Sequence, residues 1–293
     1  MEAVTPEMRG TGNRRHRFLV AGAAGFTGRH LCGLLRERGG CDVVAAGRGP
    51  GIVDCDFSDP NMVGGLLKKV LPTGIFHCIG SFTNSWETDF HSNVTTTRSL
   101  LDSLRALGIE CRVLLVGSAA EYGFAPGGPV SETCPLRPAS IYGLTKVMQS
   151  VLMDYYVRNH GVDIVMARTF NLFGPGCPPS LFPGRVSQQI ERVRQGLQET
   201  IRVRSLASLR DYLHVSDAVK AYVRIMEHGK RGEVYNVGSG SGVVLSDLMQ
   251  DLLVPSGLSM SHVEILPGDE DAKPDIPAIC ADTAKLDALP AGR

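Results

Sequence analysis

The apolar positions of the chain fall into short continuous runs that alternate with longer amphipathic stretches. The runs are typical of buried parallel strands, and the stretches have the spacing of helices that cover a sheet. The pattern predicts strands at Arg17–Ala21, Cys41–Ala46, Ile52–Cys55, Gly74–Ile79, Cys111–Val116 and Val162–Ala167. It predicts helices at Arg29–Arg38, Asn61–Val70, Glu87–Leu107 and Ser140–Asn159. This β-α-β order requires right-handed crossovers, so we expect an α/β fold with a doubly wound, mostly parallel sheet.

The pattern changes after Arg168, where Gly and Pro cluster at 173–179. Beyond that cluster the pattern predicts helices at Phe182–Gln195, Ser216–Met226 and Leu245–Leu253, and short strands at Ile201–Val203 and Glu233–Val237. We expect a larger domain over 17–169 and about 212–237, and a smaller, partly interleaved lobe over 170–211 and 238–293. Residues 1–16 are expected to form a flexible basic tail.

Charge and composition narrow the function classes. The 293 residues carry 30 Lys and Arg against 30 Asp and Glu, so the chain lacks the positive excess on which most nucleic-acid binders depend. No apolar run approaches the length of a membrane span, and residues 1–17 do not resemble a secretory signal. The eight cysteines are scattered, so we expect reduced thiols, no metal site and a cytoplasmic location. We therefore expect a small-molecule partner, with no nucleic acid and no membrane.

A glycine-rich turn, Gly22-Ala-Ala-Gly25-Phe-Thr-Gly28, lies between the first predicted strand and the first predicted helix. Glycines there let the backbone approach a pyrophosphate, which the positive end of the helix attracts. The spacing differs from the more common G-x-G-x-x-G, and a simple tight turn is the alternative. The position of the turn at the start of a β-α-β series favours a dinucleotide site.

A second pattern, Tyr142-Gly-Leu-Thr-Lys146, places a phenol and an ammonium on one face of a helix. A neighbouring cation is expected to lower the pKa of the phenol, which suits proton exchange near neutral pH. An ordinary surface pair is the alternative. Ser118 follows an apolar strand, so it lies at the carboxyl edge of the sheet, where ligands bind.

Together these features resemble the extended short-chain dehydrogenase/reductases, the NAD-dependent epimerase/dehydratases of nucleotide sugars, over about residues 17–285. The resemblance implies that the larger domain is Rossmann-like and binds a dinucleotide, and that the smaller lobe binds substrate. It implies that Ser118, Tyr142 and Lys146 are catalytic, with Tyr142 exchanging the proton and Lys146 also binding the nicotinamide ribose. The implied cofactor contacts are Gly22, Gly25, Phe26, Thr27, Gly28, Arg48, Asp56, Phe57 and Lys146. The implied substrate contacts are Ser81, Asn93, Asn171 and Arg210.

Separate segments carry the substrate part of this resemblance. Asn93 lies in a segment, residues 92–97, that is similar to the family's N-V-x-G-T helix. Arg210 begins a segment that resembles the family's R-D-[FY]-x-x-V-x-D, whose Arg binds the diphosphate, and a guanidinium fork suits phosphate oxygens. Residues 167–176 and 232–240 look most like enzymes of GDP-mannose and its 4-keto-6-deoxy product. The resemblance also implies a homodimer, paired through the helices near 88–107 and 140–159.

The type of reaction depends on the residues after Ser118. Ala119 and Ala120 stand where the family's dehydratases have residues that transfer protons, and alanine does not transfer them. Glu121 comes one place too late in the motif. We therefore expect an NAD(P)H-dependent reductase of a 4-keto-6-deoxy sugar linked to a nucleotide, GDP by the resemblance. An NAD-dependent 4-epimerase or 4,6-dehydratase stays open as an alternative, as does a catalytically silent nucleotide sensor.

The choice of cofactor depends on the end of the second strand, Ala45-Ala-Gly-Arg48. No acid is present there to bind the 2′-hydroxyl of the adenosine ribose, and a cation is. This favours a 2′-phosphate, and hence NADPH over NADH, with a solvated Arg48 beside an NADH site as the alternative. Asp56 resembles the family's acid that meets the adenine ring, and a turn residue is the alternative.

Overall fold

The computed structural model of the protein describes residues 16–125, 128–267 and 276–291. Except for His16, the predicted basic tail lies outside the described residues. Fourteen strands are formed in the described part: β1 His16–Ala21, β2 Cys41–Gly47, β3 Val53–Asp54, β4 Gly74–His77, β5 Arg112–Ser118, β6 Pro129–Val130, β7 Ile164–Thr169, β8 Asn171–Phe173, β9 Ile201–Val203, β10 Leu209–His214, β11 Val234–Val237, β12 Gly242–Val244, β13 Val263–Ile265 and β14 Ala278–Ala281.

Nine α-helices accompany these strands in the same described ranges. They are α1 Phe26–Arg38, α2 Pro60–Val70, α3 Trp86–Phe90, α4 Thr96–Leu107, α5 Ile141–His160, α6 Phe182–Arg194, α7 Val215–His228, α8 Leu245–Leu253 and α9 Ala284–Asp287. Among the described residues, none of the helices has the length and apolar character needed to cross a membrane.

The central sheet is parallel throughout and has the order β11-β7-β5-β4-β1-β2-β3. Helices cover both faces: α1 and α7 contribute to the core on one side, and α2, α4 and α5 to the core on the other. The predicted doubly wound α/β fold is confirmed. The strand order reverses between β1 and β4, and ligands bind at the carboxyl ends of the strands beside such a point.

The second half of the chain adds two smaller sheets. One has the order β12-β10-β14-β6, with β8 also paired to β10, and the other consists of β13 and β9. β11 instead joins the central sheet beside β7. A separate apolar core, which includes Val186, Ile201 and Met249, packs α6 and α8 over the two-stranded sheet.

Among the elements that differ from the predictions, two bear on the site and its surroundings. The expected single helix over Glu87–Leu107 is wrong, because a π-helical segment at His91–Thr95 separates α3 from α4. β10 was not predicted as a strand, because its charged residues hide the apolar alternation. Asp211, inside β10, is buried and accepts backbone N–H groups from Ser239, Gly240 and Ala281. These bonds replace the apolar contacts by which a strand is usually recognised.

Candidate active site

Two positions of the glycine-rich turn between β1 and α1 have no room for a side chain. Gly22 has φ +78°, and a β-carbon there would lie 2.9 Å from the backbone nitrogen of Ile79. A β-carbon at Gly28 would lie 2.3 Å from the carbonyl oxygen of Gly22. The first turn of α1 begins at Phe26 and Thr27, whose N–H groups have no acceptor within the helix. The turn is therefore a tight cradle whose free N–H donors suit an anion.

A cleft of about 210 Å³ extends from this turn along the carboxyl edge of the sheet. Its lining includes Gly22, Gly25, Arg48, Asp56, Phe57 and Gly80. The guanidinium of Arg48 is ion-paired with the carboxylate of Asp56, so two of the predicted cofactor contacts meet directly. Hydrogen bonds from Ser58 are the main reason why the pKa of Asp56 is lowered to about 2.

Ser118 and Tyr142 meet at the carboxyl end of β5. The two side chains lie within hydrogen-bonding reach of each other, and this contact acts to lower the pKa of Tyr142. A hydroxyl that donates to the phenol oxygen favours its ionised form. The oxygen of Ser118 in turn accepts the N–H of Ala120 at 3.2 Å. The serine is thereby oriented toward the phenol.

The expected lowering of the Tyr142 pKa is wrong. Burial raises the pKa of Tyr142 to about 12, and this outweighs the hydrogen bond from Ser118. The ammonium of Lys146 is directed elsewhere: it donates to the carbonyl of Val116 at 2.7 Å and to the side chain of Gln149 at 2.9 Å. Burial lowers the pKa of Lys146 to about 8. The phenol is consequently a proton donor across the neutral range, and the ammonium is close to its own titration.

Lys146 is the first member of a buried polar chain. Gln149 in turn donates a hydrogen bond to Thr97 at 2.8 Å. The hydroxyl of Thr97 lies 3.2 Å from Nε2 of His77. Burial, with a smaller contribution from the charge of Lys146, lowers the pKa of His77 to about 3, so this imidazole is neutral. Gln149 was not recognised in the sequence, although its place one turn after Lys146 puts it on the same helical face.

Asn93 comes from the π-helical segment and fixes the backbone of Ser81. Its Oδ1 accepts the N–H of Ser81 at 3.0 Å, and its Nδ2 donates to the carbonyl of Ser81 at 3.2 Å and to Thr145 at 2.9 Å. A β-carbon at Gly80 would lie 3.0 Å from Oδ1 of Asn93 and 3.7 Å from Nζ of Lys146. Three predicted residues, Ser81, Asn93 and Lys146, are therefore brought together around Gly80.

The loop after Ser81 connects to the start of α5. Buried Asp89 accepts hydrogen bonds from Ser81, Thr83 and Asn84. Asn84, at φ +63°, accepts the N–H of Ile141, the residue before Tyr142. Phe82 is 48% exposed, and its ring packs edge-on against that of Tyr142 at 4.8 Å. No pattern in the sequence indicates Phe82, because only the folded loop brings it to the phenol.

Arg210 and Asn171 lie apart from these residues, on the strands of the second sheet. Asn171 donates to the carbonyl of Asp211 at 3.0 Å, which ties β8 to β10. Burial raises the pKa of Tyr212 to about 12, while the charges of Arg210 and Arg185 act to lower it. The charges of Arg210 on β10 and Arg185 on α6 therefore both act on Tyr212.

The family model described as "NAD dependent epimerase/dehydratase family" matches residues 18–238. The chain belongs to the NAD-dependent epimerase/dehydratase family. It is accordingly an NAD(P)-dependent oxidoreductase of the extended short-chain dehydrogenase type.

Three similar proteins place the chain within this epimerase/dehydratase family. A GDP-6-deoxy-D-mannose reductase of Pseudomonas aeruginosa is 30% identical over 248 residues, which is 80% of this chain and 78% of the reductase. A UDP-glucose 4-epimerase of Mycolicibacterium smegmatis is 31% identical over 245 residues, 76% of this chain and 77% of the epimerase. The solved structure of RMD from Pseudomonas aeruginosa complexed with NADPH has a TM-score of 0.80 and 27% identity, and it covers 94% of this chain and 93% of that chain.

The described residues fit the NAD(P) that membership of the epimerase/dehydratase family implies. The crowding at Gly22 and Gly28 excludes side chains from the turn that faces the cleft. The unpaired N–H groups at the start of α1 suit a pyrophosphate. At the other end of the cleft, Gly80 lies against the buried side chains of Asn93 and Lys146.

Proposed function

We propose that this enzyme reduces the 4-keto group of a nucleotide-linked 4-keto-6-deoxy sugar, with GDP as the nucleotide and NADPH as the cofactor. The GDP-sugar reductase that is 30% identical to this chain supports the choice of substrate. The proposal assigns the cofactor to the domain over 17–169 and about 212–237, and the sugar nucleotide to the lobe over 170–211 and 238–293. A cytoplasmic location stays a prediction.

The observation that carries the reductase is the state of the carboxylate nearest Ser118 in sequence. Glu121 is fully buried and forms an ion pair with Arg168 at 2.9 Å, and Ala119 and Ala120 precede it. A carboxylate held in this way has no free oxygen with which to take a proton from a sugar ring carbon. Elimination of water is therefore disfavoured, whereas reduction requires only the groups that meet at Tyr142.

NADPH, when bound, supplies the hydride that reduces C4. Tyr142 donates its proton to the keto oxygen, because its pKa of about 12 keeps it protonated at every working pH. Ser118 stabilises the phenolate that remains, since a hydroxyl that donates to that oxygen favours its ionised form. Lys146 adds positive charge at the same end of the cleft. Arg210, with Arg185 beside it, binds the diphosphate of the substrate.

NADPH rather than NADH is supported by Arg48 and by the absence of an acid in Ala45-Ala-Gly47, at the end of β2. Arg48 lines the cleft together with Gly22, although it is ion-paired with Asp56. A 2′-phosphate carries more charge than the carboxylate, so it competes for the same guanidinium. The NADPH complex of the similar RMD structure is consistent with this choice.

We propose that the enzyme is a homodimer that pairs through α3 and α5, which pack against each other. Trp86 and Phe90 stack on α3 with their ring centres 5.5 Å apart, and both are exposed. Leu144, Val151 and Tyr155 are exposed on α5 at spacings of seven and four residues, which places them on one face. A second copy would cover these exposed apolar side chains.

The function is tested by incubating the purified enzyme with GDP- and dTDP-linked 4-keto-6-deoxy sugars and following the ultraviolet absorbance of NADPH or NADH. We expect oxidation of NADPH with the GDP-linked substrate. A 4-epimerase would instead release product without added cofactor, from NAD that purifies with the protein. A silent sensor would oxidise neither cofactor with any of these sugars.

A further inference from the structure

Glu121 lies at the carboxyl end of β5, three residues after Ser118, in a 3₁₀ turn over Ala119–Glu121. Its Oε1 accepts the backbone N–H of Ser118 at 2.8 Å, while Ser118 caps the same turn through its own side chain. A β-carbon at Gly117 would lie 2.7 Å from that Oε1, so the glycine leaves space for the carboxylate. Glu121 therefore fixes the backbone from which the Ser118 hydroxyl extends.

The second oxygen of Glu121 is fixed in turn. Its Oε2 lies 2.9 Å from Nη2 of Arg168 and 3.0 Å from Nε, and it accepts the hydroxyl of Ser150 at 2.5 Å. Arg168 is 3% exposed and Glu121 is not exposed at all. Both charges are therefore paired inside the protein, and each carboxylate oxygen has a partner.

Arg168 is itself held from the side of the second sheet. Its guanidinium lies 4.7 Å from the ring centre of Tyr122 and donates to the Tyr122 hydroxyl at 3.1 Å. That hydroxyl donates to Asn236 at 2.6 Å, and Asn236 donates to the carbonyls of Val130 and Asp282. A continuous buried chain thus links Ser118 to strands of both sheets.

We propose that Glu121, paired with Arg168, is a positioning residue that holds Ser118 against Tyr142 and keeps negative charge near Lys146. The proposal rests on the proposed catalytic roles of Ser118, Tyr142 and Lys146. A buried ion pair commonly contributes little net stability compared with an apolar pair of the same volume. Geometry and local charge are the properties that an apolar replacement would not supply.

The charge of Glu121 changes the pKa of Lys146 in one defined direction. The charge of Glu121 raises the pKa of Lys146, against the larger lowering by burial. Two other titratable groups lie near Lys146. A thiolate at Cys78 would raise the pKa of Lys146, but burial raises the pKa of Cys78 itself to about 12, so the thiol is neutral. His77 is also neutral. Removal of the charge of Glu121 therefore lowers the pKa of Lys146 below about 8.

The test compares Glu121→Gln with Asp163→Asn. Asp163 pairs with Arg112 at 3.0 Å and so joins β5 to the start of β7 at the opposite, amino end of the sheet. For Glu121→Gln we expect kcat to fall about 100-fold with little change in the KM of either substrate, since a small displacement of a reacting group has effects of this size. For Asp163→Asn we expect lower thermal stability and an unchanged kcat. Equal losses of kcat in both variants, or a wild-type kcat in Glu121→Gln, would overturn the proposal.

A second measurement does not depend on turnover. The Lys146 side chain, labelled with ¹³C and ¹⁵N, is titrated by NMR in the cofactor-free protein. We expect its midpoint at lower pH in Glu121→Gln than in the wild type, and at the wild-type pH in Asp163→Asn. An unchanged midpoint in Glu121→Gln would contradict the electrostatic part even if the substrate proposed above were wrong.

Glu121→Gln leaves Arg168 buried without a counter-ion, and this can prevent folding. The double variant Glu121→Gln with Arg168→Met removes both charges and tests the same proposal in that case. We expect it to fold and to keep the low kcat and the low Lys146 midpoint. Recovery of the wild-type kcat would show that the pair serves the fold alone.

Discussion

The guanidinium of Arg48 and the carboxylate of Asp56 form an ion pair in the cleft that the glycine-rich turn also lines. The pair joins the end of β2 to the turn after β3. The side chain of Arg48 is 72% exposed, so the pair contributes only about 0–1 kcal/mol to stability. Its importance in the proposed function lies in cofactor choice, because Asp56 and the 2′-phosphate of NADPH would compete for Arg48.

Arg48→Ala is expected to lower kcat/KM for NADPH about 10- to 100-fold, the equivalent of one charged hydrogen bond. The value for NADH should stay within about twofold, since no phosphate is lost. Arg38→Ala, which breaks an ion pair with Glu227 away from the cleft, serves as the control. Equal losses with both cofactors would show that Arg48 does not distinguish them.

Asp56→Asn removes the carboxylate that would compete with the 2′-phosphate of NADPH for Arg48. The pKa of Asp56 is lowered to about 2, so its charge is present at any pH above that value and is lost only as the pH falls toward 2. Neutralising it by mutation frees Arg48 at working pH. We expect tighter NADPH binding, measured by fluorescence titration, and an unchanged affinity would contradict the competition.

Two glycines in the same helix predict opposite results when each is replaced by alanine. A β-carbon at Gly28 would collide with the carbonyl of Gly22, so Gly28→Ala should shift α1 and abolish cofactor binding. A β-carbon at Gly33 meets nothing within 4 Å, so Gly33→Ala should stabilise the protein by about 0.5–1 kcal/mol. Calorimetry and cofactor titration measure both effects. Retained NADPH affinity in Gly28→Ala would contradict the cradle.

The pH dependence of activity follows from Lys146. Burial lowers its pKa to about 8, so the ammonium is charged below that pH and is lost as the pH rises through it. We expect kcat/KM to fall above about pH 8, while Tyr142 stays protonated. A plateau that continues well above pH 9 would show that the charge of Lys146 is not required.

The homodimer is tested by Val151→Lys, since Val151 is 62% exposed on the apolar face of α5. The added charge should convert the enzyme to a monomer in sedimentation equilibrium, because an ammonium is costly to bury. Leu197→Lys, at a similarly exposed position between α6 and β9, is the control and should leave the mass unchanged. A monomeric wild type, or a dimeric Val151→Lys, would contradict the proposed interface.

The central sheet could be predicted because its signals are local, whereas the pairing of Ser118 with Tyr142 was implied by the family resemblance. The sequence alone shows an apolar run followed by a glycine-rich turn. It also shows a Tyr and a Lys four residues apart. The contacts around Lys146 could not be predicted, since Val116 approaches Lys146, and Thr97 approaches Gln149, only when β5, α4 and α5 pack together. The π-helical segment could not be predicted either, because its residues are compatible with an ordinary α-helix. Only the folded protein shows the hydrogen bond between Asn93 and Ser81.

The same limit explains the wrong pKa for Tyr142. Spacing along a helix predicts that Tyr142 and Lys146 share a face, but it does not show which acceptors compete for the ammonium. Val116 and Gln149 supply those acceptors, and burial then decides the direction of the shift. The spacing in the sequence therefore predicted that Tyr142 and Lys146 share a helical face, but it did not predict the direction in which the pKa of Tyr142 shifts.

The most direct measurement uses NADPH that carries deuterium at both C4 positions of the nicotinamide, with the GDP-linked 4-keto-6-deoxy sugar as substrate. We expect deuterium at C4 of the product sugar, detected by NMR, and a rate that falls about 100- to 10,000-fold in Tyr142→Phe, the usual contribution of a positioned proton donor. Product without deuterium, or product formed with no added cofactor, would contradict a reductase. Near-native turnover in Tyr142→Phe would contradict the assignment of the proton donor.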